Sequence, residues 1–232
     1  MNTLIIRTRS LARRLGLLRF IHRVRPSRHY ERHFHRALQS AIKEGDVVWD
    51  IGANVGLYTE LFCKWVGPTG RVFAFEPFPV SLQQIRERLP DCPWLHLEGI
   101  ALGENDGQGQ LVLGDSSTTN HLETNGAIPA SNTIEVPVCR GDSLAKRFGQ
   151  IPNVIKIDVE GFEEEVLAGL GHILSSAELR SILMEVHFQT LEKRGRATAP
   201  VRIEKSLRNE GFRIKWLDAS HLKAERLPRM IA

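Results

Sequence analysis

At 232 residues, with 42% apolar and 25% charged side chains, the chain has an ordinary globular composition that suits one sizeable domain plus an appendage. No apolar run approaches the roughly 20 residues that span a bilayer, and Cys63, Cys92 and Cys139 lack any C-x-x-C pair, which argues against a transmembrane helix, a disulfide framework and a zinc site, and for a reducing, cytoplasmic setting. The net charge of +4 is unevenly placed: residues 1–36 hold ten arginines, no lysine and one acid, Glu31, a net of +9 that leaves −5 for residues 37–232.

Residues 1–40 therefore read as a basic arm ahead of a domain at 41–232. Leu4, Ile5, Leu11, Leu15, Leu18, Ile21 and Val24 fall at near-helical spacing, interleaved with Arg7, Arg9, Arg13, Arg14, Arg19 and Arg23. Four readings are open: a helix packed on the domain, a helix on anionic lipid through residues 1–36 that would make the protein peripheral to a membrane, an arm on nucleic acid, and a transit peptide. Pro26 ends the first helical segment, and Tyr30 to Ile42 predict a second. His29, His33 and His35 have no carboxylate or cysteine at ligand spacing, so they read as a solvated or phosphate-facing cluster.

The stretch from Asp46 to Pro79 carries the most information. The apolar run Val47-Val48-Trp49 ends in Asp50, turns through Gly52-Ala53-Asn54-Val55-Gly56 into a helix-compatible segment, and returns as Val72-Phe73-Ala74-Phe75, which ends in Glu76. This is one βαβ unit with an acid at the end of each strand. Glycines at 52 and 56 allow a tight turn and close approach of a ligand to the main chain. Glu76 lies where a carboxylate accepts hydrogen bonds from both hydroxyls of a ribose. A dinucleotide fingerprint needs glycine where Asn54 stands, and Asp50 would repel a pyrophosphate. An acid at that point suits a cationic ligand, and S-adenosylmethionine has a sulfonium, an ammonium, a ribose and no phosphate. The pattern D-x-G-x-N-x-G followed by E-P is similar to the cofactor region of class I methyltransferases.

Val80 to Leu89 predicts a helix stopped by Pro90, and Pro93 to Leu97 a short strand. Gly99 to Gly103 reads as a loop at the next strand end. In the methyltransferase arrangement that segment flanks the adenine, which makes Ile100 and Ala101 the candidates for that contact. Residues 107–140 break the βα alternation: Gln110 to Leu113 and Thr133 to Val138 alternate as half-buried strands around a polar loop from Gly114 to His121. That loop either supplies hydrogen bonds to a hydroxylated acceptor or is a solvated hairpin tip.

Further along, Val154-Ile155-Lys156-Ile157 ends in Asp158 and passes through Glu160-Gly161 into a helix from Glu163 to Leu170. Ser181 to His187 predicts another strand, on which Glu185 and His187, spaced by one residue, point the same way towards Asp158. Acids at successive carboxyl ends of a parallel sheet face one crevice. His187, with an imidazole pKa near 6.5, reads as a general base on a hydroxyl, held by Glu160 or Glu185. Asp158 with Glu185 also suits a divalent ion, and pairing of Glu185 with Lys156 or Lys193 is the plain structural alternative.

VVWDIGANVGLYT, AFEPFP, the ALG segment, VIKIDVEGFEEEVLAGL and ILMEVH, in this order, resemble the FkbM-type methyltransferases, over about Asp46 to His187. The resemblance implies an α/β, Rossmann-like, doubly wound and mostly parallel seven-stranded sheet, here with an antiparallel hairpin insertion and a helical N-terminal arm. It further implies S-adenosylmethionine as methyl donor and O-methylation of a hydroxyl on a sugar, glycan or polyketide-like molecule. By position, Asp50, Gly52, Asn54 and Gly56, with Ala53 between them, would line the methionine and ribose, Glu76 the ribose hydroxyls, and Asp158, Glu160, Glu185 and His187 the reacting end. Val201 to Glu210 predicts a helix and Phe212 to Leu217 a closing strand, while 218–232 shows no motif. Two other readings stand beside this one: an RNA methyltransferase, against which no N-P-P-[YF] or D-P-P-[YF] follows the fourth strand, and a non-catalytic binding module tethered to a membrane.

Overall fold

The computed structural model describes residues 28–114, 120–123 and 133–226. The first helical segment of the arm, most of the polar loop and the last six residues lie outside the described residues.

Helix α1 (Arg28–Ala41) precedes an alternating run of β1 (Val47–Ile51), α2 (Leu57–Val66), β2 (Arg71–Phe75), α3 (Pro79–Arg88) and β3 (Leu95–Glu98). An insertion of β4 (Ala101–Leu102), β5 (Gly107–Val112), β6 (His121–Glu123) and β7 (Thr133–Cys139) follows. The alternation resumes with α4 (Gly141–Phe148), β8 (Val154–Ile157), α5 (Glu163–Leu170), β9 (Ser181–Glu185), α6 (Phe188–Lys193) and α7 (Ala199–Asn209), and closes with β10 (Phe212–Trp216) and β11 (His221–Arg226). The main sheet has seven strands in the order β10-β11-β9-β8-β1-β2-β3, and β11 alone runs antiparallel to its neighbours.

Side-chain alternation divides the core. Val48, Val72, Val154 and Leu183 face α1 and α2 and bury Phe34, Leu38, Phe62 and Val66 with them. Trp49, Ile51, Phe73, Phe75, Ile155, Ile157, Ile182 and Met184 face the other way, onto Leu144, Val166, Leu170 and Leu207. Strands covered on both faces become continuous apolar runs, which is why VVW, VIKI and SILM read as they do.

Three features differ from the sequence expectation. Phe34 and Leu38 are 2% and 0% exposed, so the second half of the presumed arm is core, because α1 closes one face of the sheet. The insertion is more than a hairpin: β5 and β7 pair antiparallel, but β6 and the two-residue β4 extend them into a separate four-stranded sheet. Elements of two or three residues are too short to show a period. The stretch after Asp218 that lacked a motif contains β11, whose HLKAER sequence is edge-like in polarity yet pairs on both sides.

Candidate active site

The carboxyl ends of β1, β2, β8 and β9 open into a cavity of about 270 Å³, roofed by the inserted sheet. Ile51, Gly52, Asn54, Phe75, Glu76 and Pro77 form one side, and Ile100, Ala101, Leu102, Leu111 and Leu122 form an apolar wall. Asp158, Glu160, Phe162, Glu185 and His187 form the far end. All four residues expected at the reacting end thus come together, as do Gly52, Asn54, Glu76, Ile100 and Ala101.

Glu76 is 8% exposed at the tip of β2. Its two oxygens accept the backbone N–H of Asn54 at 2.7 Å and of Phe78 at 2.9 Å, so the carboxylate is fixed in the turn with a lone pair left on each oxygen for a ligand. Burial pushes its pKa up, only partly offset by those two backbone donors.

Asp50, Ala53 and Gly56 do not line the cavity. β1 runs one residue past Asp50, and alternation turns its side chain onto the helix face, where it is fully buried. There it accepts the Thr59 hydroxyl at 2.7 Å and pairs at 3.0 Å with Lys156, its lateral neighbour on β8. Lys156 also donates to the Gly52 carbonyl at 2.8 Å and lies 3.6 Å from Asp158, so it ties the first turn to the far end of the site. Burial disfavours its charge, but Asp50 and Asp158 raise its pKa overall. Among the described residues Glu185 therefore has no lysine partner of the expected kind; Lys156 is taken by Asp50. Ala53 packs against Ala74 and Ile85, and Gly56 packs against Ile85.

Gly52 has a structural reason to be glycine. Its φ is +78°, and a Cβ there would stand 1.9 Å from the Asp158 carbonyl oxygen. Gly52→Ala is expected to lower stability by at least about 2 kcal/mol, from the left-handed backbone and the forced retreat of β8, a loss that urea unfolding would register.

His187 follows β9 and is ringed by carboxylates. Its Nδ1 lies 2.7 Å from Glu163 Oε1, and its Nε2 lies 3.3 Å from Glu160 and 3.6 Å from Asp158. Glu160 reaches this position from a left-handed backbone, φ +52°, unusual for a residue with a side chain. Burial alone would lower the His187 pKa, but hydrogen bonds to Glu160 and Glu163 and the charges of Glu163 and Asp158 outweigh it, and the pKa stands well above 6.5. The residue expected as base therefore holds a proton more tightly than a free imidazole.

Two groups of residues were missed by the sequence reading. Glu163 was legible only as a helix start, yet it is fully buried and also accepts the backbone N–H of Gly161 and His187. His221, opposite Glu185 in the β9–β11 register, puts Nε2 3.4 Å from that carboxylate and Nδ1 2.8 Å from Asp218. Ser220 adds its hydroxyl to Glu185 at 3.2 Å, and Phe34 of α1 stacks on the His221 ring at 4.2 Å. Burial would lower the His221 pKa, but Asp218 and Glu185 raise it to about 9. Burial would raise that of Glu185, but hydrogen bonding to His221 and the charges of His187 and His221 hold it low. Only the spacing D-x-S-H after β10 hinted at this group, and no sequence period links it to Glu185.

The profile of the methyltransferase FkbM domain matches residues 50–214. The chain belongs to the FkbM methyltransferase family. It is 30% identical over 156 residues to the hexuronic acid methyltransferase AglP of Haloferax volcanii, covering 66% of this chain and 60% of that protein's length. It is 29% identical over 176 residues to the 31-O-demethyl-FK506 methyltransferase FkbM of Streptomyces tacrolimicus, covering 63% of this chain and 67% of the other. The fold is also that of precorrin-6y C5,15-methyltransferase from Geobacter metallireducens, with TM-score 0.51 at 15% identity over 85% of this chain and 89% of that one. An rRNA methylase from Streptococcus thermophilus gives TM-score 0.50 at 12% identity, over 88% and 98% of the two chains. Asp218, Ser220 and His221 lie beyond the stretch that the FkbM family profile matches.

Proposed function

We propose that this FkbM-family chain transfers a methyl group from S-adenosylmethionine to a hydroxyl of a sugar, glycan or polyketide-like acceptor. The observation that carries the reading is the division of the cavity: a fixed, buried carboxylate at Glu76 and an apolar wall at one end, and the Asp158, Glu160, Glu185 and His187 cluster at the other. Its donor set fits the cofactor. Among the described residues no lysine or arginine lines the cavity, which leaves a pyrophosphate without a counter-charge, whereas four lining carboxylates favour a sulfonium and an ammonium. Glu76 would hold the ribose hydroxyls, Ile100, Ala101 and Leu102 the adenine, and Gly52 and Asn54 the main-chain edge of the methionine. The names of the two curated relatives support a sugar-derived or polyketide acceptor.

The bound cofactor supplies an electrophilic methyl whose bonding pair leaves with sulfur. The chain's residues hold acceptor and donor in line and remove one proton. With no ion bound, His187 holds its own proton more tightly than a free imidazole, orients the acceptor oxygen by donating a hydrogen bond, and leaves the acceptor's proton to a carboxylate beside it, Asp158. Residues 41–226 with α1 would make up the catalytic domain, and residues 1–27 remain a basic segment suited to an anionic lipid surface. Among the described residues no helix is long and apolar enough to cross a membrane.

Calorimetric titration with S-adenosylhomocysteine, in parallel with NADH, tests the reading. One site for the former and none for NADH is expected. A folded protein that binds neither would overturn it.

A further inference from the structure

We propose that Asp158, Glu185 and His187 bind one divalent cation of the Mn²⁺ kind, whose open positions face the acceptor. The inference deepens the methyl-transfer reading and rests on it only for what the ion does, not for whether it binds. One ligand atom from each of the three residues lies within 4.8 Å of the others. Neighbouring ligands of an ion with bonds of about 2.1 Å stand about 3 Å apart, so the His187–Asp158 pair, at 3.6 Å, is nearly closed and the widest pair has to draw together by up to about 2 Å. One imidazole with two carboxylates suits Mn²⁺ better than Mg²⁺ or Ca²⁺, which prefer oxygen alone.

Two observations separate this cluster from a chance grouping of acids. The first is that every would-be ligand is aimed by a partner behind it. Glu163, fully buried, fixes His187 through Nδ1 and leaves Nε2 towards the cavity. His221 and Ser220 brace Glu185. Lys156 takes Asp158 Oδ2, and Oδ1 is the atom that faces His187. Partners of this kind orient the ligands of metal centres.

The second is an asymmetry around the imidazole. Its contact with Glu163 is 2.7 Å, the length of a charge-assisted hydrogen bond, while its Nε2 contacts to Glu160 and Asp158 are 3.3 and 3.6 Å. The loose side is the cavity side, where an ion would stand between these atoms. Behind the ring, Glu163 Oε2 is buried with no hydrogen-bond partner among the described residues, a polar atom that a cation at Nε2 would draw on through the imidazole. An ion here would take the place of a proton on Nε2, leave His187 neutral with Nδ1–H donating to Glu163, bind the acceptor oxygen and lower the pKa of its hydroxyl so that the proton leaves to water.

The test needs neither acceptor nor turnover. The full chain, stripped with EDTA, is titrated with Mn²⁺ alone and followed by electron paramagnetic resonance and calorimetry. One ion per chain is expected, with affinity at least roughly tenfold weaker in His187→Ala and in Glu185→Gln and unchanged in Glu60→Gln, a surface control. S-adenosylhomocysteine binding in EDTA, measured on each variant, reports that the fold is intact. No stoichiometric Mn²⁺, or Mn²⁺ binding indifferent to both substitutions in folded variants, would overturn the proposal while S-adenosylhomocysteine binding upheld the cofactor reading. Mn²⁺ binding without S-adenosylhomocysteine binding would do the reverse.

Discussion

Replacing Lys156 with methionine is expected to cost about 3–5 kcal/mol of stability, the penalty for leaving a buried charge without its counter-charge. Lys156 is 2% exposed and Asp50 is 0% exposed, and they face each other across the β1–β8 pair. Without the ammonium, Asp50 keeps only the Thr59 hydroxyl, and the Gly52 carbonyl loses its donor. Removing both charges together behaves differently. Asp50→Asn combined with Lys156→Met removes both charges, and breaking a pair costs more than removing it. The double variant should therefore recover much of the loss in urea denaturation, with a coupling energy of about 1–3 kcal/mol between the sites. A single-variant loss below about 1 kcal/mol would show that the pair is not buried as described.

Glu76→Ala is expected to weaken S-adenosylhomocysteine binding by roughly 100-fold. Two hydrogen bonds to a charged acceptor, at about 1.5 kcal/mol each at the low end, total about 3 kcal/mol, and each 1.4 kcal/mol is tenfold. The alanine also strips the Asn54 and Phe78 N–H groups of their acceptor, so Glu76→Gln, which retains one carbonyl oxygen, should fall between the two. The pH dependence has a definite sign. Because burial raises the Glu76 pKa above 4.5, acidification neutralises it earlier than an ordinary glutamate. Affinity should fall with decreasing pH already above that range, and this acid limb should be absent from Glu76→Gln. Calorimetry that found wild-type affinity for Glu76→Ala would remove the ribose assignment.

The first βαβ unit was legible because its strands are buried on both faces and its turn needs glycine, both of which leave marks in local sequence. Asp50 shows where local reading stops. An acid that ends an apolar run looks like a site residue, but one more strand residue, Ile51, reverses the face on which it points. Its partner was visible as the single charge within VIKI, yet only the β1–β8 register says that 50 and 156 are neighbours. Glu185 and His187 were readable as a pair by their spacing. Their charge states were not, because Glu163 reaches His187 from 24 residues away and His221 reaches Glu185 from 36, through contacts that no local period records. The helix α1 was legible over Tyr30 to Ile42, but its place in the core was not, for a related reason: Phe34 and Leu38 mark an amphipathic helix in any surroundings, and only the sheet shows that the apolar stripe is covered.

Strand β11 lies between β9 and β10 although it is made after both. While the chain is being synthesised, β9 therefore presents an open edge until residues 221–226 have been added, and β10 has nowhere to pair. Unfilled edges of this kind invite pairing with other chains. The β9 edge belongs to the strand that carries Glu185, so completion of the sheet and completion of the acceptor end are one event. A nascent chain released just short of His221 would keep that edge open and leave Glu185 without His221.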